Sequence, residues 1–339
     1  MRSGLTSEIS QGALAVGFVA MIGTVGLTTT TAQAQTAASG YSIQVAATGL
    51  NNPMEVAADS AGFVYVSDSG NGRILKGQMG GAFSPIVSGI AVAPFIGVRL
   101  GPTGLAVSGN SLFWGEAGRD TGVEQVFEAS LSGVTTQALA PTDFGGNWTG
   151  LTVDASGQLL AVSANGDKVY AASRLPGGQW SEFGVLIDGQ QDGLVSPTGV
   201  AEVGNTIYVS YYGSFGGMGY IASYNSVTAE LISANVVADL FAPTAIEAMP
   251  DGRLLVVEYG FDTADGVLSI FNPANGSREI IVTGLSRATG VAYAADGSIY
   301  VSEQGAINQS GGRLLRVVPT PGALALLGMA GVVVARRRR

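Results

Sequence analysis

Four carboxylates recur at one position of a repeated pattern: Asp68, Glu116, Glu258 and Glu303, with Ser163 and Tyr211 at the two equivalent places. Each ends a short strand-like run. Acidic side chains brought to one rim can bind Ca2+, a cationic ligand or the hydroxyls of a sugar. A second column starts the preceding run and holds Met54, Thr103, Thr149, Thr198, Thr244 and Thr289. With ordinary strand alternation the two columns face the same end of the fold. A threonine hydroxyl is a poor ligand for a hard cation, so this column reads as a hydroxyl ring bonded to the backbone of the neighbouring unit. The carboxylates have a plain alternative as well: solvated strand ends, or pairs with Arg73 and Arg313. Connecting segments add Phe95, Arg99, Phe144, Trp148 and the Tyr- and Gly-rich stretch 210–220. Aromatic side chains beside carboxylates suit a carbohydrate or small-molecule ligand, and each alone suits core packing.

The chemistry that is absent bounds the rest. The chain contains no histidine and no cysteine. The commonest zinc ligand and the usual neutral-pH base are therefore missing, as are disulfides and thiolates. Any reaction must use carboxylates, Lys, Arg, Tyr or hydroxyls, which argues against most hydrolytic mechanisms.

The elements that must position these columns are read from the repeat. Six segments align, and their second residues fall at Pro53, Pro102, Trp148, Pro197, Pro243 and Ala288. In each, an apolar run leads through a Gly- or Asn-containing turn (DSAG, SGN, DASG, VGN, MPDG, AADG) to a second run, the pattern of a tight hairpin. Two more strand-like runs follow in most units, such as RILKG (73–77) and FSPIVSG (83–89). Four antiparallel strands per unit make one propeller blade. The sixth unit supplies only three strands, and YSIQVAATG (41–49) is the surplus strand that completes it. The expected fold is therefore all-β: a six-bladed β-propeller spanning 35–318, closed by its N-terminal strand.

The phrasing P-T-G-(V/L)-A-V followed by G-x-(I/L)-Y-V-S-E resembles NHL-repeat propellers and the SMP-30 and strictosidine-synthase group. The last unit with GGRLLRV resembles ScyD/ScyE-like propellers. In SMP-30-like lactonases, Asn and Asp at the position of the threonine column hold a divalent ion. Here five threonines and a methionine stand there, so that constellation is missing.

Both ends read as processing segments. Residues 1–34 have the order of a secretory signal peptide, with Ala32 and Ala34 forming an A-x-A site for signal peptidase. At the C-terminus, the 14-residue apolar run 322–335 is followed by Arg336, Arg337, Arg338 and Arg339. This run is shorter than the roughly 20 residues of a usual span. The tail 319–339, led by Pro319, Thr320, Pro321 and Gly322, resembles the PEP-CTERM sorting signal of Gram-negative bacteria, with Thr320 in place of the usual Glu. That resemblance implies an exosortase-type processing enzyme, transient anchoring in the inner membrane through a short transmembrane helix, and delivery to the cell surface or extracellular matrix.

Five of the 16 basic residues (Arg2 and the four terminal arginines) and one of the 25 acids (Glu8) lie in these segments, leaving 11 basic against 24 acidic side chains in the body. So acidic a body repels phosphate backbones and excludes nucleic acid as a partner. With no certain cofactor, the expectation is a non-catalytic, exported binding or scaffold propeller with a polysaccharide or small-molecule ligand. The alternative is a metal-dependent hydrolase or lactonase using Asp68, Glu116, Glu258 and Glu303.

Overall fold

The computed structural model describes residues 35–95, 98–116, 125–133, 136–139, 147–213, 218–260, 265–305 and 310–320. The expected signal peptide and nearly all of the tail, including Pro321, Gly322 and the four arginines, lie outside them, as does Phe144. Among the described residues no helix is long and apolar enough to cross a membrane.

Six four-stranded antiparallel blades form the propeller ring. The first is typical: Pro53–Ala58 lies innermost, followed outward by Val64–Asp68, Arg73–Gly77 and Ser84–Ser88. The other inner strands are Pro102–Ser108, Trp148–Val153, Pro197–Val203, Pro243–Ala248 and Ala288–Tyr293. These strands form because β-branched and aromatic residues alternate between turns with Gly at positive φ, such as Gly62, Gly157, Gly252 and Gly297.

Apolar side chains of neighbouring blades interleave to make the core. Leu268 and Ile270 of the fifth blade pack in one cluster with Val301 and Leu315 of the sixth. Trp148 is fully buried and meets Tyr170 edge-on, with ring centroids 5.5 Å apart. Burying one such Val or Leu contributes about 1.5–3 kcal/mol, so these seams do the work that disulfides would do elsewhere.

Closure follows the sequence expectation. Tyr41–Leu50 pairs antiparallel with Gly312–Pro319, and Gln44 stands opposite Arg316. The first long strand of the body is thus the outer strand of the last blade. Two elements escaped the sequence reading. Thr36–Ala37 adds a fifth strand to the outer edge of the fifth blade, where Thr36 faces Thr283. A small hairpin, Ala93–Phe95 with Val98–Leu100, links the first and second blades. Runs of two and three residues are too short to carry a readable period.

All six inner strands share an irregularity. Their pairing with the second strand shifts register within the first few residues, for example between Pro197 and Gly199 and between Pro243 and Ala245. The residues passed over are that of the threonine column and, in the first, second and sixth blades, the one after it. A bulge bends the strand and re-aims the bulged side chain, so these hydroxyls leave the blade's own ladder and point across to the next blade.

Candidate functional site in the central channel

The threonines form a circuit around the channel. Thr103 Oγ1 donates to the Trp148 carbonyl at 2.6 Å, Thr149 to Pro197 at 3.4 Å, and Thr198 to Pro243 at 2.9 Å. Thr244 donates to Ala288 at 3.0 Å and Thr289 to Pro53 at 2.8 Å. Each bond joins one blade to the first residue of the next inner strand. Met54 breaks the circuit in the first blade. At that junction the Ser67 hydroxyl reaches the Thr103 carbonyl instead, at 3.2 Å.

The carboxylate column lies one strand farther out. Asp68 is fully buried, accepting from the Asn51 N–H at 2.7 Å and from Arg73 Nε at 2.6 Å. Glu303 accepts from the Ser286 N–H at 2.7 Å and from Arg313 at 2.6 Å. Glu258 accepts from the Phe241 N–H at 2.7 Å and pairs with Arg278. In all three blades the carboxylate ties the strand end to the crossover two residues before the inner strand and to an arginine farther out in the blade, on the third strand for Arg73 and Arg313 and on the fourth for Arg278. Glu116 is the exception: it is buried, its Oε1 meets Trp114 Nε1 at 3.4 Å, and burial pushes its pKa up to about 7. At the two remaining positions, the Ser163 hydroxyl accepts from the Gly166 N–H at 3.2 Å, and the Tyr211 hydroxyl meets that of Tyr224 at 2.8 Å.

On the channel axis the threonine column is joined by a residue that sequence reasoning passed over, Glu55. Met54, Glu55, Thr149, Thr198, Thr244 and Thr289 enclose a cavity of about 10 Å³, room for one water. The Glu55 side chain is 9% exposed. Its Oε1 accepts the N–H of Val56 at 3.0 Å and of Val291 at 3.1 Å, while no donor reaches Oε2 among the described residues. Burial raises its pKa well above the usual carboxylate range; the two backbone bonds oppose that shift and the charge of Glu247 adds to it. Gly290 makes the room, because a Cβ there would stand 2.6 Å from Oε1 and 2.4 Å from the Met54 carbonyl.

Below Glu55, six buried apolar side chains narrow the channel: Val56, Leu105, Leu151, Val200, Ile246 and Val291, one from each blade. Beyond them Glu247 lines a second cavity, of about 380 Å³, at the hairpin end. Burial pushes the Glu247 carboxyl up to about 7.

A column reading finds both residues. Glu55 stands where the other blades have Gly104, Gly150, Gly199, Ala245 and Gly290. Glu247 stands where they have Ala57, Ala106, Thr152, Ala201 and Ala292. The signal is a lone acid among very small residues, which a search for recurring acids overlooks.

No family model matches the chain, and neither does any curated protein. Solved structures do match. The PQQ-bound aldose sugar dehydrogenase of Streptomyces coelicolor superposes with a TM-score of 0.62 at 14% identity, covering 83% of this chain and 99% of its own. A gluconolactonase of Xanthomonas campestris gives 0.62 at 16%, covering 82% and 89%. The PQQ domain of pyranose dehydrogenase from Coprinopsis cinerea gives 0.57 at 12%, covering 84% and 97%. The protein is thus a six-bladed β-propeller with structural neighbours in the SMP-30/gluconolactonase family. At these identities the likeness shows the fold alone.

The expectation of a non-catalytic scaffold is corrected by this set. Its gluconolactonase and sugar dehydrogenase rings favour the enzymatic alternative. A desolvated acid beside the channel cavity, as at Glu55, agrees with that correction.

The cofactors such neighbours suggest are not matched by the side chains described. Ca2+ takes six to eight oxygens, yet among the described residues no group of three or more acids is gathered to hold a metal. Three of the four recurring carboxylates already face arginines. A tricarboxylate quinone fits poorly too, since the ionisable side chains described along the channel cavities, Glu55, Glu202 and Glu247, are all acidic.

Proposed function

We propose that the protein is an enzyme hydrolysing a small cyclic ester of the sugar-lactone type at the threonine-ringed end of its channel. The observation that carries this reading is Glu55: buried, with one carboxylate oxygen that no donor reaches among the described residues, beside a cavity with room for one water. A base is most effective when its pKa lies near the working pH, and burial moves Glu55 from the acidic range in that direction. Its carboxylate takes a proton from the water while the water oxygen bonds to the acyl carbon. The ring C–O bond then breaks, and the leaving oxygen takes the proton back from Glu55, giving the open hydroxy acid. The threonines spend their protons on backbone carbonyls, so toward the cavity they present oxygen lone pairs. Such a rim accepts hydrogen bonds from water or from a polyhydroxylated substrate. The gluconolactonase neighbour lends the substrate class support.

The test is turnover of glucono-δ-lactone and related lactones, followed by acid release. Wild-type protein should exceed the buffer rate, and Glu55→Gln should lower kcat by about 100-fold or more with its melting temperature retained. A wild-type rate no greater than buffer across the lactones, or a fully active Glu55→Gln, would sink the assignment.

The two ends support a second proposal, independent of the chemistry. The order of 1–34 and the 319–339 resemblance to a PEP-CTERM signal favour export, signal-peptidase cleavage after Ala34, and exosortase-type processing at the cell surface of a Gram-negative bacterium. Mass spectrometry of the mature protein reads both termini. Recovery of the four terminal arginines on surface-exposed protein would refute the sorting proposal.

A further inference from the structure

The hairpin end of the channel has no part in the reaction above, yet it holds the larger of the two end cavities described. Its volume of about 380 Å³ falls within the range of small-molecule sites. Its lining residues are mostly small, including Ala58, Ala106, Val107, Leu151 and Val153, and the surface they present mixes polar and apolar atoms. Both ionisable groups in this wall are acids, Glu202 and Glu247, and no Lys, Arg or aromatic side chain lines it. Glu202 Oε2 accepts the Ala155 N–H at 2.7 Å, which fixes it at the rim. Glu247 lies deeper and has no hydrogen-bond donor among the described residues.

A largely buried acid that no donor meets is a costly arrangement unless a proton or a cation joins it. The inner-strand columns show that the space is kept open deliberately. At the level of Glu247 the other five blades carry only Ala or Thr, so one carboxylate projects into a widened shaft. The buried apolar ring of Val56, Leu105, Leu151, Val200, Ile246 and Val291 separates this shaft from the water-sized cavity above.

We propose that this cavity binds a small organic cation, a primary ammonium carried on a compact apolar body, with Glu247 as its counter-ion and Glu202 at the rim. The ammonium replaces the missing donors of Glu247, and the apolar body covers the Ala, Val and Leu walls. A bare inorganic cation would leave those walls wet, and a neutral apolar molecule would leave the carboxylate unpartnered.

Two acids face Glu247: Glu55 through the apolar ring and Glu202 across the cavity. Burial is what favours its protonated form. A cation has to displace that proton, so affinity should rise as pH increases through about 7.

Calorimetry with cyclohexylammonium chloride, and with cyclohexanol as its neutral counterpart, tests the proposal on the whole protein. The ammonium should bind saturably and at least about tenfold more tightly than the alcohol, a difference of 1.4 kcal/mol. Glu247→Gln, nearly identical in shape, should weaken it by tenfold or more, and Glu202→Gln by less. Glu55→Gln should leave binding within about twofold, which keeps this outcome separate from loss of the proposed lactone turnover. Equal binding of alcohol and ammonium, full displacement by an equal concentration of KCl, or unchanged affinity in a Glu247→Gln protein of normal melting temperature would each overturn it.

Discussion

Whether a buried carboxylate becomes a strut or a reagent depends here on who meets it first. Asp68, Glu258 and Glu303 each face an arginine of the same blade and a backbone N–H at the crossover. Charge-assisted bonds of this kind satisfy both oxygens and fix the chain. Glu116, Glu55 and Glu247 have no arginine partner among the described residues, and burial raises all three. A raised carboxyl binds its proton more tightly in the fold than in the unfolded chain. Stability is therefore greatest below the unfolded value of 4.5 and declines as pH rises toward the folded value of about 7. For Glu116 and Glu247 the difference is on the order of 2–3 kcal/mol per group. The wild-type melting temperature should consequently fall between pH 5 and pH 8 more than that of a Glu116→Gln, Glu247→Gln double variant. Parallel curves for the two proteins would show that these groups are ordinary solvated acids.

At the scale of the element, the bulged inner strand links sequence to ring. A bulge frees one side chain per blade from its own ladder, and threonine at that place ties the blade to its neighbour. Replacing Thr244 by Val keeps shape but strips the Ala288 carbonyl of its 3.0 Å donor. A buried acceptor left unpaired costs about 1–3 kcal/mol. Thr149→Val should cost less, because that bond is 3.4 Å long and only partly buried. Urea unfolding measures both, and a Thr244→Val protein no weaker than Thr149→Val would show that the circuit carries no load. These threonines, the hairpin turns and the closing strand were legible because each recurs, or is missing, once per repeat. Arg73 and Arg313 were legible as partners because they follow their acids closely. Arg278 was not, since 20 residues separate it from Glu258.

The whole molecule is a ring whose repeats make the fold easy to read and the function hard. Repetition reports what all blades share, which is packing and closure. The candidate chemistry sits where one blade departs from the others: Glu55 in the first and Glu247 in the fifth. Neither stands out until the six inner strands are stacked and the small residues counted down a column. The proposed substrate rests on such a single departure and the proposed destination on the two ends, neither of which is repeated anywhere.

The clasp between Tyr41–Leu50 and Gly312–Pro319 has a consequence in time. Synthesis makes the first of these strands before any blade and the second after nearly all of them. The earliest strand therefore waits, with an unpaired edge, for a partner about 270 residues later. Contacts of such long range form slowly, and waiting edges invite wrong pairings. The ring cannot lock until its last strand arrives, so the chain stays threadable for as long as that strand is withheld. Under the export proposed above, the body would stay unlocked until the strand at Gly312–Pro319 is available to pair.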